Sequence, residues 1–294
     1  MESILTAEKL IKKYPKFTLG ELDLEIPKGF ATALIGANGA GKTTLIDTLC
    51  GVIHKTSGTV TYFGANADID DMDLRERIGY CSAQSFFPSG WTAKNIADSM
   101  SVAYEKFDRV KFAELCSQLN VDSELTKKPK PMIQQSDGNR MRTALAAVFS
   151  RETDLLILDE PGSSLDPLMR DRLCDSLRDY LDKGKGEKSV IFSTHNIADM
   201  ENAADYAIFM DNGKIIEKGF VEDLKEKYII VRGEPKDFES AKGLLLSHSC
   251  NPTVFEGIAL TENKEQLEKL NAVWERPNLQ QLSVGLLKSA EERK

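Results

Sequence analysis

Histidine is scarce in this sequence, which has three among 294 residues, and its five cysteines include no CxxC pair. Because zinc sites and disulfide frameworks need closely spaced cysteines or histidines, the sequence predicts neither, and a reducing cytoplasm fits best. A basic excess is also missing, since Asp and Glu outnumber Lys and Arg by 46 to 38. Neutralising nucleic-acid phosphates requires a basic field, so we expect no nucleic-acid partner.

Long apolar runs are absent as well. No stretch approaches the ~18 to 20 apolar residues that a membrane-spanning helix requires, so we expect any membrane-spanning partner to be a separate chain. Hydrophobic residues make up 41% of the chain and charged residues 29%, as in ordinary globular proteins. A chain of this length can bury a sizeable core.

Short apolar runs alternate with helical periodicity through the first three quarters of the chain, which is typical of a parallel sheet with crossover helices. Two earlier runs, Ile4–Leu10 and Thr18–Ile26, predict a small antiparallel sheet. Residues 91–150 have apolar positions at helical spacing only, which predicts an inserted helical subdomain. We therefore predict an α/β domain over residues 1–224 and an accessory region over residues 225–294.

The accessory region has strand-like runs at Tyr228–Val231 and Val254–Leu260 between helical stretches. This pattern predicts a small α/β extension. The sequence Pro277-Asn278-Leu279 is typical of the start of a helix, and we expect a last amphipathic helix there.

A glycine-rich segment, Gly36 to Thr43, matches the pattern GxxxxGK[ST] directly after the apolar run Ala31–Ile35 and before a helical run. Its glycines let backbone N–H groups face phosphates, and the helix N-terminus adds its positive dipole end. Lys42 can reach the β- and γ-phosphates, and the Thr43 hydroxyl can ligate magnesium. The predicted phosphate-binding residues here are Gly36, Asn38, Gly39, Gly41, Lys42, Thr43 and Thr44.

A second candidate element is the acidic pair Asp159-Glu160. It follows Leu155–Leu158, which is apolar at every position, as expected of a strand buried on both faces. Carboxylates at such a strand end face the ligand crevice, where Asp159 can hold magnesium and Glu160 can polarise an attacking water. The alternative is a surface pair after a core strand, which the phosphate loop disfavours.

Further motifs follow along the chain in the order that the ATP-binding cassette (ABC) family has them. Residues 1 to about 220 therefore resemble that family. The resemblance implies that Gln84 senses magnesium and the γ-phosphate, and that Ser164-Leu165-Asp166 forms the D-loop. It places His195 as the switch histidine, whose ring N–H can stabilise developing charge on the γ-phosphate. Tyr14 falls where the family stacks an aromatic side chain on adenine. Taken singly, each of these residues also has an ordinary structural interpretation.

The family's signature segment, LSGGQ, is degenerate here and reads as Gln135–Asn139. The resemblance implies that Ser136 and Gly138 close over the γ-phosphate bound by the opposite subunit. Asp137 replaces a glycine, and its carboxylate would repel phosphates unless it points outward or pairs with Arg140. We therefore expect Asp137 to weaken closure or slow turnover.

The resemblance also implies a fold and a mechanism. The fold is a P-loop NTPase (RecA-like) core with an antiparallel β subdomain, an inserted α-helical subdomain and the C-terminal α/β extension. The activity is ATP hydrolysis with ATP and Mg²⁺. Glu160, His195 and Lys42 would be catalytic, and Thr43, Gln84 and Asp159 would hold the metal.

Partners follow from the same resemblance. Two ATP-binding subunits, identical or similar, would dimerise head-to-tail and drive a separate permease from the cytoplasmic face of the membrane. The aromatic stretch Phe86–Trp91 lies where the family receives the permease. Phe87 and Trp91 can instead pack beneath the helical subdomain, and both interpretations can hold for different side chains.

The accessory region and a single cassette resemble bacterial exporter ATPases, especially those of Gram-positive bacteria that serve drug, antimicrobial-peptide and peptide-toxin export. The permease would recognise the cargo. One alternative is a non-transport ABC ATPase, although neither a second cassette nor a long coiled coil is present in the sequence. Another is an ATP-dependent dimerisation switch with weak hydrolysis, which the degenerate signature favours and the Asp159-Glu160 pair disfavours. The accessory region would stabilise the dimer or regulate it.

Overall fold

The computed structural model describes residues 2–65, 71–82, 87–121 and 129–292. Gln84 and Phe86, which have predicted roles, lie outside these ranges. Within the ranges, no helix combines the length and the apolar character needed to cross a bilayer.

The strands in the described residues are β1 Ser3–Tyr14, β2 Phe17–Pro27, β3 Ala31–Ile35, β4 Ser57–Tyr62, β5 Ile78–Ser82, β6 Leu155–Asp159, β7 Ser189–Thr194, β8 Tyr206–Asp211, β9 Lys214–Phe220, β10 Tyr228–Gly233, β11 Leu245–Cys250, β12 Phe255–Leu260 and β13 Val273–Glu275. The α-helices are α1 Lys42–Leu49, α2 Met72–Arg77, α3 Ala93–Ala103, α4 Arg109–Gln118, α5 Asp137–Phe149, α6 Pro167–Gly184, α7 Val221–Lys227, α8 Phe238–Ala241, α9 Lys264–Glu268 and α10 Leu279–Glu292. Short 3₁₀ turns lie at Met132–Gln134, Ile197–Asp199, Glu201–Ala203, Pro235–Asp237, Lys242–Leu244 and Thr261–Asn263.

The main sheet has the strand order β5-β6-β7-β3-β8-β9. Its first five strands are parallel and β9 is antiparallel. Strands β3, β6 and β7 are buried at every position, as expected for parallel strands covered on both faces. Because parallel strands end at the same edge, the segments after β3, β6 and β7 meet there, which positions the site.

A second, antiparallel sheet has the order β2-β1-β4. Its inward leucines share a core with α1, the helix that follows the glycine-rich segment. The predicted antiparallel sheet is therefore confirmed, with one strand, β4, that the sequence did not predict.

Between β5 and β6 the described chain is helical. Helices α3, α4 and α5 pack together, and α5 packs against β5. Helix α3 begins with a capping box in which Thr92 and Asn95 satisfy each other's N–H groups, and α5 begins at the N-cap Ser136. The inserted helical region of the predicted fold is thus present, and its limits at 91 and 150 stay a prediction.

The C-terminal residues form a third, antiparallel sheet in the order β11-β12-β10-β13. The sequence predicted β10 and β12 and missed the two strands on the outside. One face of this sheet has a small core of its own, whereas α10 packs on β8, β9, β11 and β12 and joins the main core. The predicted boundary at residues 224 and 225 falls inside α7, and the division into domains stays a prediction.

Candidate functional site

The glycine-rich loop joins β3 to α1 at the carboxyl edge of the main sheet. Gly39 and Gly41 have φ of 83° and 103°, a region that favours glycine. At Gly36 the need for glycine is steric, because a Cβ would stand 2.5 Å from the carbonyl oxygen of Met210. The loop therefore keeps a tight path that leaves its backbone open to a ligand.

Lys42, the first residue of α1, reaches back over this loop. Its Nζ donates to the carbonyl oxygens of Gly36, at 2.8 Å, and Ala37, at 3.3 Å. The same Nζ lies 3.3 Å from Oε1 of Glu160. The side chain is only 6% exposed, so a positive charge is held at the base of the loop with its partners nearby.

Asp159 ends β6 among hydroxyl groups from two other elements. Its Oδ2 accepts a hydrogen bond from Thr43 at 2.8 Å, and its Oδ1 accepts one from Ser193 at 2.5 Å. Burial raises the pKa of Asp159, and the two hydrogen bonds oppose that shift. A carboxylate and a hydroxyl side by side are hard oxygen donors, which suit Mg²⁺.

The described residues contain no group of three or more histidine, cysteine, aspartate or glutamate side chains that could hold a metal. Magnesium that completes its shell with phosphate and water oxygens needs no such cluster. Thr43 and Asp159 therefore fit this ion, and Gln84, the third predicted ligand, lies outside the described residues.

Glu160 lies between two basic side chains. Its Oε2 is 2.7 Å from Nδ1 of His195, and its Oε1 is the atom near Lys42. The residue has a φ of 50°, a left-handed conformation that is uncommon outside glycine and that concentrates at functional sites. Its backbone N–H donates to Ser193 at 2.8 Å, which holds this turn on β7. The carboxylate is thereby aimed along the edge of the sheet.

Lys42, Glu160 and His195 line one open cleft of ≈ 570 Å³, whereas Asp159 is not among the described residues of its lining. The cleft brings together most of the predicted loop residues with Glu160 and His195. The lining residues are Phe17, Asn38, Gly39, Gly41, Lys42, Thr43, Thr44, Glu160, Ser163 and His195.

Phe17 and Ser163 were missed by the sequence analysis. Phe17 opens β2, and its ring tip lies 2.8 Å from where a Cβ on Gly41 would stand. Tyr14, the predicted adenine contact, ends β1 opposite Phe17, is 42% exposed and is not among the described residues that line the cleft. Ser163 donates to the carbonyl oxygen of Glu160 at 2.9 Å. An aromatic residue three positions after Tyr14 is the signal that could have identified Phe17.

The residues of the signature segment are not among the described residues that line this cleft. The Ser136 hydroxyl accepts the N–H of Asn139 and so caps α5. A Cβ on Gly138 would stand 2.7 Å from the carbonyl oxygen of Ser164, so a larger residue does not fit there. The Asp137 side chain is 84% exposed and pairs with Arg140 at 3.2 Å. Asp137 therefore points outward and pairs with Arg140, the two arrangements under which its repulsion of phosphates would be relieved, and its effect on closure stays a prediction.

The aromatic stretch after β5 is partly described. Phe87 and Trp91 are half-buried and pack against the main core, as one of the two interpretations expected. Phe87 also lines a cavity of ≈ 360 Å³ with Met100 and Tyr104, next to the end of β5. This cavity lies between β5 and the helical region, beside the contact of α5 with β5.

A phosphate loop follows β3 at a strand-to-helix turn, and an acidic pair ends β6, the second parallel strand along the same sheet. This combination defines a P-loop nucleoside triphosphatase. Comparison with known proteins places the chain within that class. A family model described as ABC transporter matches residues 19–163. The uncharacterized ABC transporter ATP-binding protein YxlF of Bacillus subtilis is 31% identical over 76% of this chain and 73% of its own length. The chain therefore belongs to the ABC transporter family, and its predicted class, an ABC ATPase, is confirmed.

Two further similarities concern function and fold. The bacitracin transport ATP-binding protein BcrA of Enterococcus faecalis is 29% identical over 77% of this chain and 72% of its own length. The ATP-binding cassette MJ0796, solved as a dimeric post-hydrolysis state bound to ADP and Pi, matches with a TM-score of 0.63 and 22% identity. That match covers 74% of this chain and 98% of MJ0796 and supports the predicted fold. Another relative is 32% identical to this chain, and the matched segment covers 60% of that relative's own length.

Proposed function

We propose that this chain binds Mg-ATP in the cleft, hydrolyses it and drives a separate membrane permease. The observation that carries the proposal is the Glu160 carboxylate, which lies between Lys42 and His195 at the mouth of the phosphate loop. A carboxylate at this place can accept a proton from water as the water attacks the γ-phosphate.

Nucleotide binding rests on the loop and on Lys42. The loop offers backbone N–H groups and the positive end of α1 to the phosphates. The Lys42 ammonium, now on the carbonyl oxygens of Gly36 and Ala37, would turn to the β- and γ-phosphates. The sequence assigns adenine stacking to Tyr14, and Phe17 offers a second aromatic face inside the cleft.

The proposed magnesium ligands are Thr43, Asp159 and Gln84. The first two have oxygens 2.8 Å apart, close enough to share one ion. When bound, magnesium would neutralise negative charge on the phosphate that is transferred. Ser193 keeps the Asp159 carboxylate in place through its second oxygen.

His195 has two proposed roles. Through Nδ1 it holds the Glu160 carboxylate in position, at 2.7 Å. Its other ring nitrogen can then donate to a γ-phosphate oxygen, where charge develops during the reaction. Because the ring is 46% exposed, it is accessible to a bound nucleotide.

The chain acts as a head-to-tail dimer in this proposal. Ser136 and Gly138 at the start of α5 would close over the nucleotide bound by the other subunit. Neither residue is among the described residues that line their own cleft, as this arrangement requires, and the dimeric state of the cassette MJ0796 supports it. The outward Asp137 then faces the other subunit's phosphates, so the second candidate function, a dimerisation switch with weak hydrolysis, stays open to test.

The permease would dock near the stretch Phe86–Trp91, at the cytoplasmic face of the membrane. The cavity beside Phe87 supports a docking site for a partner segment. The name of the bacitracin relative favours export of a peptide or drug-like cargo. No role for nucleic acid is proposed, given the net charge of −8.

The deciding experiment replaces the carboxylate by an amide. Glu160→Gln keeps the shape of the side chain and removes its ability to accept a proton, so we expect ATP binding to persist and turnover to fall ~100-fold or more. The variant should also accumulate as a closed dimer with ATP. Glu152→Gln is a matched control, because Glu152 lies eight residues earlier and its side chain is 70% exposed. Normal turnover by Glu160→Gln would contradict the catalytic assignment.

A further inference from the structure

The last helix of the chain packs directly behind the His195 segment. Helix α10 contacts β8 and the 3₁₀ turn Ile197–Asp199, which begins two residues after His195. Leu279 and Leu282 on α10 are fully buried, and they share one core with Ile197 and Met200. The C-terminal region thus packs, through buried apolar side chains, against the segment that follows His195 at the edge of the main sheet.

A carboxylate fixes the start of this helix. Oε1 of Glu201 accepts the backbone N–H of Leu279 at 3.0 Å and lies 3.3 Å from Nζ of Lys225. The first N–H groups of a helix have no partner within it, and a negative charge there is favourable. Asn278 caps the third residue of the helix, Gln281, so Glu201 supplies a separate anchor. At 20% exposure, the Glu201 side chain is largely shielded from water.

The Glu201 segment also contacts the turn that holds Glu160. The sulfur of Met200 lies 3.3 Å from where a Cβ on Gly162 would stand, and Gly162 follows Glu160 by two residues. Met200 is tied to Ile197 by a backbone hydrogen bond of 2.9 Å. The residues between His195 and Glu201 therefore touch both the Glu160 turn, through Met200, and α10, through the turn Ile197–Asp199.

We infer that Glu201 is a positioning residue for hydrolysis. By anchoring the turn that follows His195 to the first residue of α10, it holds the imidazole against the Glu160 carboxylate. Turnover then depends on α10, and the C-terminal region regulates the cassette from within the same chain. This role rests on the proposed function of Glu160 and His195.

Two substitutions and one control separate positioning from simple stability. Glu201→Ala removes the anchor, and Glu201→Gln keeps an oxygen that can accept the Leu279 N–H. Glu222→Gln is the control, because Glu222 also lies 3.3 Å from Lys225 but its side chain is 78% exposed. We expect Glu201→Ala to lower kcat about ten-fold with KM for ATP unchanged, because small displacements of catalytic groups cost rate. Glu201→Gln should recover most of that loss, and Glu222→Gln should behave as the wild type.

Hydrogen exchange provides a readout that does not require turnover. The backbone N–H groups of Met200, Ala203 and Ala204 are all hydrogen-bonded within the segment. In Glu201→Ala these amides should exchange several-fold faster, whereas those of β6 should not change. A lower melting temperature with unaltered kcat and unaltered exchange would mean that Glu201 only stabilises the fold, and would overturn the inference.

The two proposals fail in distinguishable ways. A wild-type protein without Glu160-dependent ATPase activity overturns the proposed function and with it this role for Glu201. An active wild type whose kcat is retained in Glu201→Ala overturns the role of Glu201 alone.

Discussion

The cleft and the signature segment are the two surfaces that a composite ATP site needs, and they are built differently. In the cleft, the polar side chains contact one another, as Glu160 does with Lys42 and His195. In the signature segment, the Ser136 hydroxyl caps its own helix and Asp137 extends into solvent.

This difference suggests that the cleft supplies the groups for ATP hydrolysis and that the signature segment governs closure of the dimer. Preorganised polar groups cost little reorganisation when the reaction begins, so one chain can supply the reactive groups. In the proposed dimer, an exposed carboxylate in the signature would act only when a second subunit approaches. Changes in the cleft should therefore have large effects in every state, and changes in the signature should have small effects that depend on dimerisation.

Loss of Lys42 should have the largest effect. Lys42→Ala removes a buried positive charge from the phosphate loop, and we expect ATP affinity to fall ~100-fold or more, as for loss of a charged contact to phosphate. Isothermal titration with ATP measures this change. Lys55→Ala, at an exposed position, is the control and should bind ATP normally. If Lys42→Ala bound ATP with unchanged affinity, the phosphates would have to bind at another site.

His195 comes next. His195→Ala frees the Glu160 carboxylate from one of its two partners, and we expect kcat to fall ~10- to 100-fold with little change in KM. Steady-state phosphate release at saturating ATP is the measurement. His54→Ala is the matched histidine control because His54 is exposed and lies five residues beyond the end of α1. A rise in KM with kcat retained would make His195 a binding residue.

The adenine contact should have a moderate effect and can be assigned between two aromatic residues. Loss of a stacking partner costs ~1 kcal/mol, or about five-fold in affinity. We expect Tyr14→Ala to weaken ATP binding by about this factor and to leave inorganic triphosphate binding unchanged. If Phe17→Ala has that effect and Tyr14→Ala does not, the stacking side chain is the one inside the cleft.

Asp137 should have the smallest effect. Asp137→Gly restores the glycine of the family signature and removes an exposed charge, so we expect ATPase activity to rise about two- to five-fold. The effect should appear at protein concentrations where the dimer forms, and it should shrink at high salt, which screens exposed charges. An unchanged or lower rate would remove the idea that this aspartate restrains the cycle.

The sequence predicted the elements whose signal is local. The residues of the phosphate loop are consecutive in the sequence, and so are Asp159 and Glu160. Each of these two motifs follows an apolar strand, so the sequence pattern alone identified them. Ser193 is 34 residues from Asp159 and meets it only because β6 and β7 are neighbours in register. No local pattern could reveal that contact.

The missed strands have a similar explanation. Strand β13 has three residues, all exposed, and β11 is rich in small and polar side chains, so neither shows an apolar period. The contact of Glu201 with Leu279 spans 78 residues. The sequence predicted a last helix near residue 277 and could not show where it packs, since packing depends on the tertiary fold.

Phosphate release from ATP by the purified chain, with and without Mg²⁺, tests the central claim most directly. The account predicts steady release that requires Mg²⁺ and falls to background in Glu160→Gln while ATP binding persists. Wild-type release no faster than that of Glu160→Gln, despite bound ATP, would contradict it.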